Sequence, residues 1–293
     1  MTSIQERIFN VFVPIISSSR MNLTAMRAPV RTDSIRGLKK SLKNFPMQEV
    51  EIQGHKMITF SAPDLRSSLH VIYLHGGSYI WQGDFIHWGF IKKMLSALNC
   101  RVTYVDYPLA PEHTYIDTFA MLQEGYEKLI EEYPGDAFVL MGDSSGGGLA
   151  LAFAENLLLE KQPVQPKELI LLSPWLDLTM SNPEIHAVEK VDRMLHLGAL
   201  RAAAKAYSGG SDLSNYLLSP INGETSGLGK ISIFIGTHDI LEPDCRKFRD
   251  QVNRSGGSII FHEYRDMQHV WMLFPIPEAR DAFREIVDQL SKY

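Results

Sequence analysis

The feature that most restricts the fold of this chain is a regular alternation, after residue 44, of short apolar runs with longer segments of helical periodicity. The runs predict eight β-strands, at residues 49–53, 56–61, 70–74, 101–106, 137–141, 168–172, 231–235 and 258–264. Helical segments are predicted at residues 85–98, 115–132, 147–160, 243–255 and 277–291. Gly54-His55 indicates a tight turn between two antiparallel strands, whereas strands joined by helices are expected to be parallel. The sequence therefore predicts an α/β fold with an eight-stranded, mostly parallel sheet and helices on both faces.

Two segments fall outside this alternation, residues 1–45 and about 176–215. Both carry apolar residues at helical spacing, as at Met194, Leu197 and Leu200. Ligands of open α/β sheets bind beyond the carboxyl ends of the strands, so we expect the two segments to form a helical cap over that edge. The predicted organisation is a set of N-terminal cap helices followed by a main domain, residues 46–293, which contains the cap insertion.

Composition and charge exclude several classes of function. The 293 residues are 45% hydrophobic and 22% charged, as in an ordinary globular enzyme with one main domain. A net charge of -5 leaves no basic excess, which argues against nucleic acid as the main partner and favours small neutral substrates. The sequence leaves the oligomeric state open, with a homodimer among the options.

The cysteines and the N-terminal segment bear on the compartment. Cys100 and Cys245 lie far apart and lack metal-ligand spacing, so we predict two buried free thiols and no zinc site. The apolar run at residues 8–16 is too short to span a bilayer, and Glu6 cancels the charge of Arg7 in its flank. We therefore expect a cytoplasmic protein without a membrane span.

A short glycine-flanked motif, Gly142-Asp143-Ser144-Ser145-Gly146, connects an apolar run to a helical segment. A serine on such a sharp turn needs very small neighbours two residues away on each side, and Gly142 and Gly146 meet that need. The helix start also supplies free N–H groups and a positive dipole end near Ser144. A phosphate loop is the main alternative, but no lysine follows the glycines before Lys161. The motif is typical of a nucleophile elbow.

A serine nucleophile needs a base and an acid that orients the base. On a sheet of this kind the acid ends a later strand and the histidine follows the last strand. Asp239 and His269 stand at those two places, and we predict them as acid and base. The rivals fit less well: His262 lies inside a strand pattern and His238 beside the acid, while Glu242 and Asp244 open the next helix, where acidic residues stabilise the dipole.

Attack on an acyl carbonyl creates an oxyanion, which must be stabilised by N–H groups that are already in position. The stretch His75-Gly76-Gly77-Ser78-Tyr79 follows the third predicted strand, and its glycines allow the backbone to approach a substrate closely. A simple Gly-Gly turn would have the same sequence. The position of this stretch, before the helical segment 85–98, matches the loop that supplies the oxyanion hole.

Together these motifs resemble the hormone-sensitive-lipase-like branch of the α/β-hydrolases. The resemblance covers about residues 45–293 and is carried by His75-Gly76-Gly77, Asp106-Tyr107-Pro108-Leu109-Ala110-Pro111-Glu112-His113, Gly142-Asp143-Ser144-Ser145-Gly146-Gly147, Gly236-Thr237-His238-Asp239 and His269. It implies an α/β-hydrolase fold in which residues 46–293 form the catalytic domain.

The resemblance also implies which backbone groups stabilise the oxyanion: the N–H groups of Gly77, Ser78 and Ser145. The family usually has glycine where this chain has Ser78, and alanine where it has Ser145. Both differences keep the backbone N–H.

These observations lead to the expectation of a serine carboxylesterase that acts on small, short-acyl esters without a metal or an organic cofactor. Two alternatives stay open. The same residues serve an amidase, an aryl-formamidase or a deacetylase with a different pocket. A non-catalytic receptor of this fold would bind a small ligand without turnover, although such receptors typically lose the histidine that this chain keeps as His269.

Overall fold

The computed structural model describes residues 34–293, and its centre is one eight-stranded sheet. The strands stand in the order β1-β2-β4-β3-β5-β6-β7-β8. Their bounds are β1 Met47–Ile52, β2 His55–Ser61, β3 Leu69–Leu74, β4 Arg101–Asp106, β5 Ala137–Asp143, β6 Glu168–Leu172, β7 Lys230–Gly236 and β8 Ile259–Tyr264.

Only one edge of the sheet is antiparallel. β1 pairs with β2 and β2 with β4 in antiparallel register, and all other neighbours are parallel. Gln53 and Gly54 form the turn between β1 and β2 with φ of 51° and 79°, the left-handed backbone that a two-residue hairpin favours. The prediction of an eight-stranded, mostly parallel sheet is therefore confirmed.

Helices cover both faces of the sheet. They are α1 Ser34–Ser41, α2 Phe85–Leu98, α3 Tyr115–Glu132, α4 Ser145–Leu159, α5 Ile185–Val188, α6 Leu197–Ser208, α7 Glu242–Arg254 and α8 Pro277–Leu290. Along β3, Val71 and Tyr73 join the core formed with α2 and α8, while Ile72 and Leu74 join the core formed with α3 and α4. This alternation follows from the two-residue period of a strand, and burial on both faces explains why the strands are almost continuously apolar.

The predicted cap insertion lies between β6 and β7 and contains α5 and α6. One side of α6 is buried, including Leu200, Ala204 and Tyr207, and it packs into the same core as α3 and α4. The predicted N-terminal cap helices and the apolar run at residues 8–16 lie almost wholly outside the described residues. Only α1, which begins at Ser34, represents that region.

Two further observations concern the cysteines and the possibility of a membrane-spanning helix. Cys100 and Cys245 are both buried and free, as predicted. Among residues 34–293 no helix combines the length and the apolar character needed to cross a membrane.

Candidate active site

Ser144 stands on a strained turn between the end of β5 and the start of α4. Its φ of 53° and ψ of -123° lie in a region that residues with side chains rarely adopt. The Ser144 N–H donates to the carbonyl of Leu172 at 2.8 Å, and the N–H of Trp175 donates to the Ser144 carbonyl at 2.9 Å. These two bonds tie the turn to β6 and to the segment that follows it. Helix α4 begins at Ser145, two residues earlier than the sequence predicts, so the first free N–H groups of the helix directly follow the serine.

The glycines on either side of the serine are required by close backbone contacts. A Cβ at Gly142 would lie 2.3 Å from the Gly146 carbonyl oxygen. A Cβ at Gly146 would lie 2.0 Å from the carbonyl oxygen of Leu74 and 2.5 Å from that of His75. Backbone atoms cannot move aside as a flexible side chain can. The elbow therefore packs directly against the loop that follows β3.

We expect Gly146→Ala to destabilise the protein by about 3 kcal/mol or more, because the new methyl group overlaps two carbonyl oxygens. Gly89→Ala is the matched control: Gly89 lies inside α2, and its Cβ would meet no described atom within 4 Å. That control should gain about 0.5–1 kcal/mol from helix propensity. Chemical denaturation of both variants measures the difference, and equal stabilities would contradict this account of the elbow.

The predicted acid and base form a buried hydrogen-bonded pair. Asp239 follows β7, His269 follows β8, and His269 Nδ1 lies 2.8 Å from Asp239 Oδ2. The N–H of Leu241 donates to the other carboxylate oxygen of Asp239 at 3.0 Å. The exposed fraction is 0% for Asp239 and 4% for His269. With Nδ1 bound to the carboxylate, the Nε2 atom is left as the proton acceptor.

The structure brings Ser144 to the same edge of the sheet, but no hydrogen bond joins its hydroxyl to the His269 ring. Such contacts are commonly long in a free enzyme and shorten when substrate binds.

The residues that competed with Asp239 and His269 for the roles of acid and base have other partners. His262 stacks on Phe234, and His238 pairs with Asp266. Asp244 accepts a hydrogen bond from the side chain of Asn182 at 2.9 Å, and Glu242 pairs with Arg246.

The pKa of His269 predicts the pH dependence of activity. Burial acts to lower this pKa, but the charge and hydrogen bond of Asp239, with Asp192 and Asp143 further away, raise it above the usual 6.5. A base must be neutral to accept a proton, so kcat/KM should fall as pH drops through a midpoint above 6.5. A pH series from 5 to 9 with a chromogenic ester measures this fall in kcat/KM, the acid limb of the profile. A flat profile would contradict the assignment of His269 as base.

The loop after β3 exposes backbone donors beside the elbow. Gly77, Ser78 and Tyr79 all have positive φ, at 128°, 54° and 62°. The N–H groups of Gly77, Ser78 and Ser145 are engaged by no acceptor in the described part of the chain. The N–H of Tyr79 donates to Ser145 Oγ at 3.3 Å, so the serine that replaces the family's alanine joins the elbow to this loop. The arrangement can stabilise a negative oxygen next to Ser144.

Comparison with known proteins decides the family. A family model described as the alpha/beta hydrolase fold matches residues 71–273. The chain belongs to the α/β-hydrolase family. Among curated relatives, it is 29% identical to an esterase of Acinetobacter venetianus over 91% of this chain and 82% of the relative. It is also 29% identical to an acetyl-hydrolase of Streptomyces hygroscopicus, over 81% and 80% of the two chains.

Solved structures agree on the fold of this α/β hydrolase. An esterase from the bacterial hormone-sensitive lipase family superposes with a TM-score of 0.82 and 24% identity, covering 100% of this chain and 99% of that one. The predicted α/β-hydrolase fold is therefore confirmed.

The histidine that begins the predicted oxyanion motif is buried among aromatic rings. His75 is fully buried, its ring stacks on Tyr107 at 4.4 Å and on Tyr104 at 5.5 Å, and its Nδ1 donates to the Gly76 carbonyl at 2.7 Å. Burial, followed by the nearby charge of His87, lowers its pKa to about 4. His75 is therefore neutral at pH 7 and supports the loop rather than transferring protons.

A buried Asp143–His87 pair, which the sequence did not reveal, holds the elbow and the loop after β3 together. Asp143 Oδ1 accepts hydrogen bonds from the Tyr73 hydroxyl at 2.7 Å and the Gly76 N–H at 3.0 Å. Its Oδ2 lies 3.3 Å from His87 Nε2, and His87 Nδ1 lies 3.1 Å from Asp84 Oδ1. Burial opposes the charge on His87, but the two carboxylates raise its pKa to about 10. In the sequence, His87 could be recognised only through the capping box that it forms with Asp84 at the start of α2.

Proposed function

We propose that this protein is a serine carboxylesterase that hydrolyses small, short-acyl esters through an acyl-enzyme intermediate. The observation that carries the proposal is the strained Ser144 at a helix start, with free N–H donors beside it and the buried His269–Asp239 pair at the same sheet edge. The names of the relatives, an esterase and an acetyl-hydrolase, support the same class of reaction.

The chemistry follows from these positions. His269 Nε2 takes the hydroxyl proton of Ser144 as the serine oxygen bonds to the ester carbonyl carbon. The carbonyl oxygen becomes an oxyanion and is stabilised by the N–H groups of Gly77, Ser78 and Ser145. Collapse breaks the ester C–O bond, and His269 gives its proton to the leaving alkoxide. A water molecule then repeats the sequence on the acyl-enzyme and releases the acid, while Asp239 keeps the ring oriented.

An aromatic pair beside the elbow supports the preference for short acyl groups. Tyr79 and Tyr207 stack face to face, with ring centroids 3.8 Å apart and planes at 2°. Tyr79 contacts Ser145 through its backbone, and both rings are buried. Tyr207 belongs to α6 in the predicted cap insertion. The Tyr79 backbone ties this stack to Ser145, next to Ser144. We infer that the stacked rings leave less room for a long alkyl chain than smaller side chains would.

A series of p-nitrophenyl esters from acetate to dodecanoate tests the function and its specificity. We expect the highest kcat/KM at the short end. Tyr207→Ala removes one ring of the stack and should raise the ratio of octanoate to acetate activity by about tenfold. Tyr216→Ala is the control, because Tyr216 bonds to Asn156 outside the stack and should leave the ratio unchanged. Highest turnover on the longest esters by the unaltered enzyme would contradict the short-acyl proposal.

A fluorophosphonate probe separates an enzyme from a binding protein. We expect one covalent adduct, located by peptide mass spectrometry on Ser144. A folded sample that forms no adduct would favour a non-catalytic receptor. An adduct together with turnover of anilides and no turnover of esters would favour the amidase alternative.

A further inference from the structure

One segment of the predicted cap insertion, residues 191–195, contacts the loops of both the predicted acid and the predicted base. Asp192 Oδ2 accepts a hydrogen bond from the N–H of Ile240 at 2.8 Å, and Ile240 directly follows Asp239. Gln268 directly precedes His269, and its side chain spans the same segment. It accepts from the Arg193 N–H at 2.8 Å and donates to the Val191 carbonyl at 3.1 Å.

Asp192 is a buried carboxylate held by backbone N–H groups. Its exposed fraction is 6%, and its Oδ1 accepts from the N–H groups of Met194 at 2.7 Å and Leu195 at 2.9 Å. Burial, followed by the charge of Asp239, raises the pKa of Asp192, whereas the backbone N–H groups of Met194, Leu195 and Ile240 favour its ionised form. A second buried carboxylate near Asp239 is unfavourable for folding, because the two like charges repel and both groups lose their hydration.

The charged groups around the His269 ring show how the Asp192 carboxylate acts on that ring. Asp239, Asp192 and Asp143 all act to raise the pKa of His269, while Asp143 is itself paired with His87. Glu242 lies near Asp239 and is paired with Arg246. Asp192 is thus a second carboxylate within electrostatic reach of the ring, and within residues 34–293 its hydrogen-bond partners are backbone N–H groups rather than a cation.

We propose that Asp192 is a positioning residue for this reaction: it fixes the loop that carries Asp239 and adds a second negative charge that stabilises the His269 imidazolium. The proposal rests on the proposed esterase function. The imidazolium forms when His269 accepts the Ser144 proton, so both effects lower the barrier of the chemical step rather than strengthen substrate binding.

Asp192→Asn tests the proposal. An amide has one oxygen, so it cannot accept both the turn N–H groups and the Ile240 N–H, and it carries no charge. We expect kcat on p-nitrophenyl acetate to fall about tenfold, with KM changed less than about twofold. The acid limb of kcat/KM should move to lower pH by about half a unit, because the imidazolium loses a stabilising anion.

Asp212→Asn is the matched control. Asp212 lies in the same insertion and forms a similar turn, in which its carboxylate accepts from the Ser214 N–H at 2.9 Å and the Ser214 hydroxyl at 2.7 Å, but it is exposed. This control should keep the unaltered kcat and pH profile. Thermal unfolding identifies the variants that fold. If Asp192→Asn does not fold, Asp192→Ser replaces it as the test, because serine keeps an oxygen acceptor without charge. We expect the same shift of the acid limb of kcat/KM for that variant.

The outcomes separate this proposal from the proposed function. An unaltered enzyme without ester turnover would reject the function itself. An active unaltered enzyme and an Asp192→Asn variant whose acid limb has not moved would overturn the positioning role, even if the variant were less stable. Loss of folding in both Asp192 variants would assign the residue a purely structural role and would overturn the proposal as well.

Discussion

Replacing Ser144 with alanine is expected to remove ester turnover, with a fall in kcat of about a million-fold. The variant has no nucleophile, and the buried His269–Asp239 pair cannot replace it. The fold should be retained, because among the described residues the Ser144 hydroxyl makes no hydrogen bond and the turn is held by backbone contacts to Leu172 and Trp175. Burst and steady-state kinetics with p-nitrophenyl acetate measure the loss, and thermal unfolding tests the fold.

Ser226→Ala is the matched control, because it removes the hydroxyl of a serine on the surface. Ser226 is exposed, and its backbone N–H is bonded to Glu224, so its hydroxyl should be dispensable. Unchanged turnover by the Ser144→Ala variant would show that another group is the nucleophile and would reject the mechanism.

The second large effect is expected from Asp239→Asn, with a fall in kcat of about ten-thousand-fold near pH 7. The carboxylate accepts from the Leu241 N–H and binds His269 Nδ1, so it selects the tautomer in which Nε2 is free to take a proton. An amide in its place can donate to Nδ1, which moves the ring proton to Nε2 and blocks the base. Steady-state kinetics across pH 6–9 measure the loss.

Asp244→Asn is the informative comparison, because Asp244 is the nearby carboxylate that competed for the role of acid. Its oxygen is bonded to Asn182, and burial raises its pKa to about 6. We expect this variant to keep its turnover to within about threefold. A large loss in Asp244→Asn together with a small loss in Asp239→Asn would reverse the assignment.

The order of strands and helices could be predicted because each local signal agreed with the overall fold. Strands such as β3 are apolar throughout since both faces are covered, and Gly54 marks the hairpin that makes β1 and β2 antiparallel. The helix after the elbow was predicted to begin at Gly147 and begins at Ser145. Glycine is a poor guide to a helix start when close packing, rather than propensity, requires it.

The residues that support the site could not be predicted for a different reason. Asp192, His87 and Tyr207 are ordinary residue types without a catalytic motif around them, and the partners that bring them to the site lie far away along the chain. Asp192 meets Ile240 across 48 residues, and His87 meets Asp143 only because the fold brings the first turn of α2 to the end of β5. Periodicity and turn chemistry report neighbours in sequence. Contacts of this kind arise from the packed fold alone.

Asp143 and Asp192 each join two of the loops that meet at the site. Asp143 is covalently next to Ser144 and also binds the Gly76 N–H, so one carboxylate fixes the elbow against the loop that carries the predicted oxyanion donors. Asp192 and Gln268 join the loops of Asp239 and His269 to a segment of the predicted cap insertion. All these loops follow strands of one sheet, and the Val270 N–H donates to Ser173 Oγ beyond the end of β6. A substitution at Asp192 is therefore expected to disturb the predicted acid and base more than the predicted nucleophile and oxyanion donors.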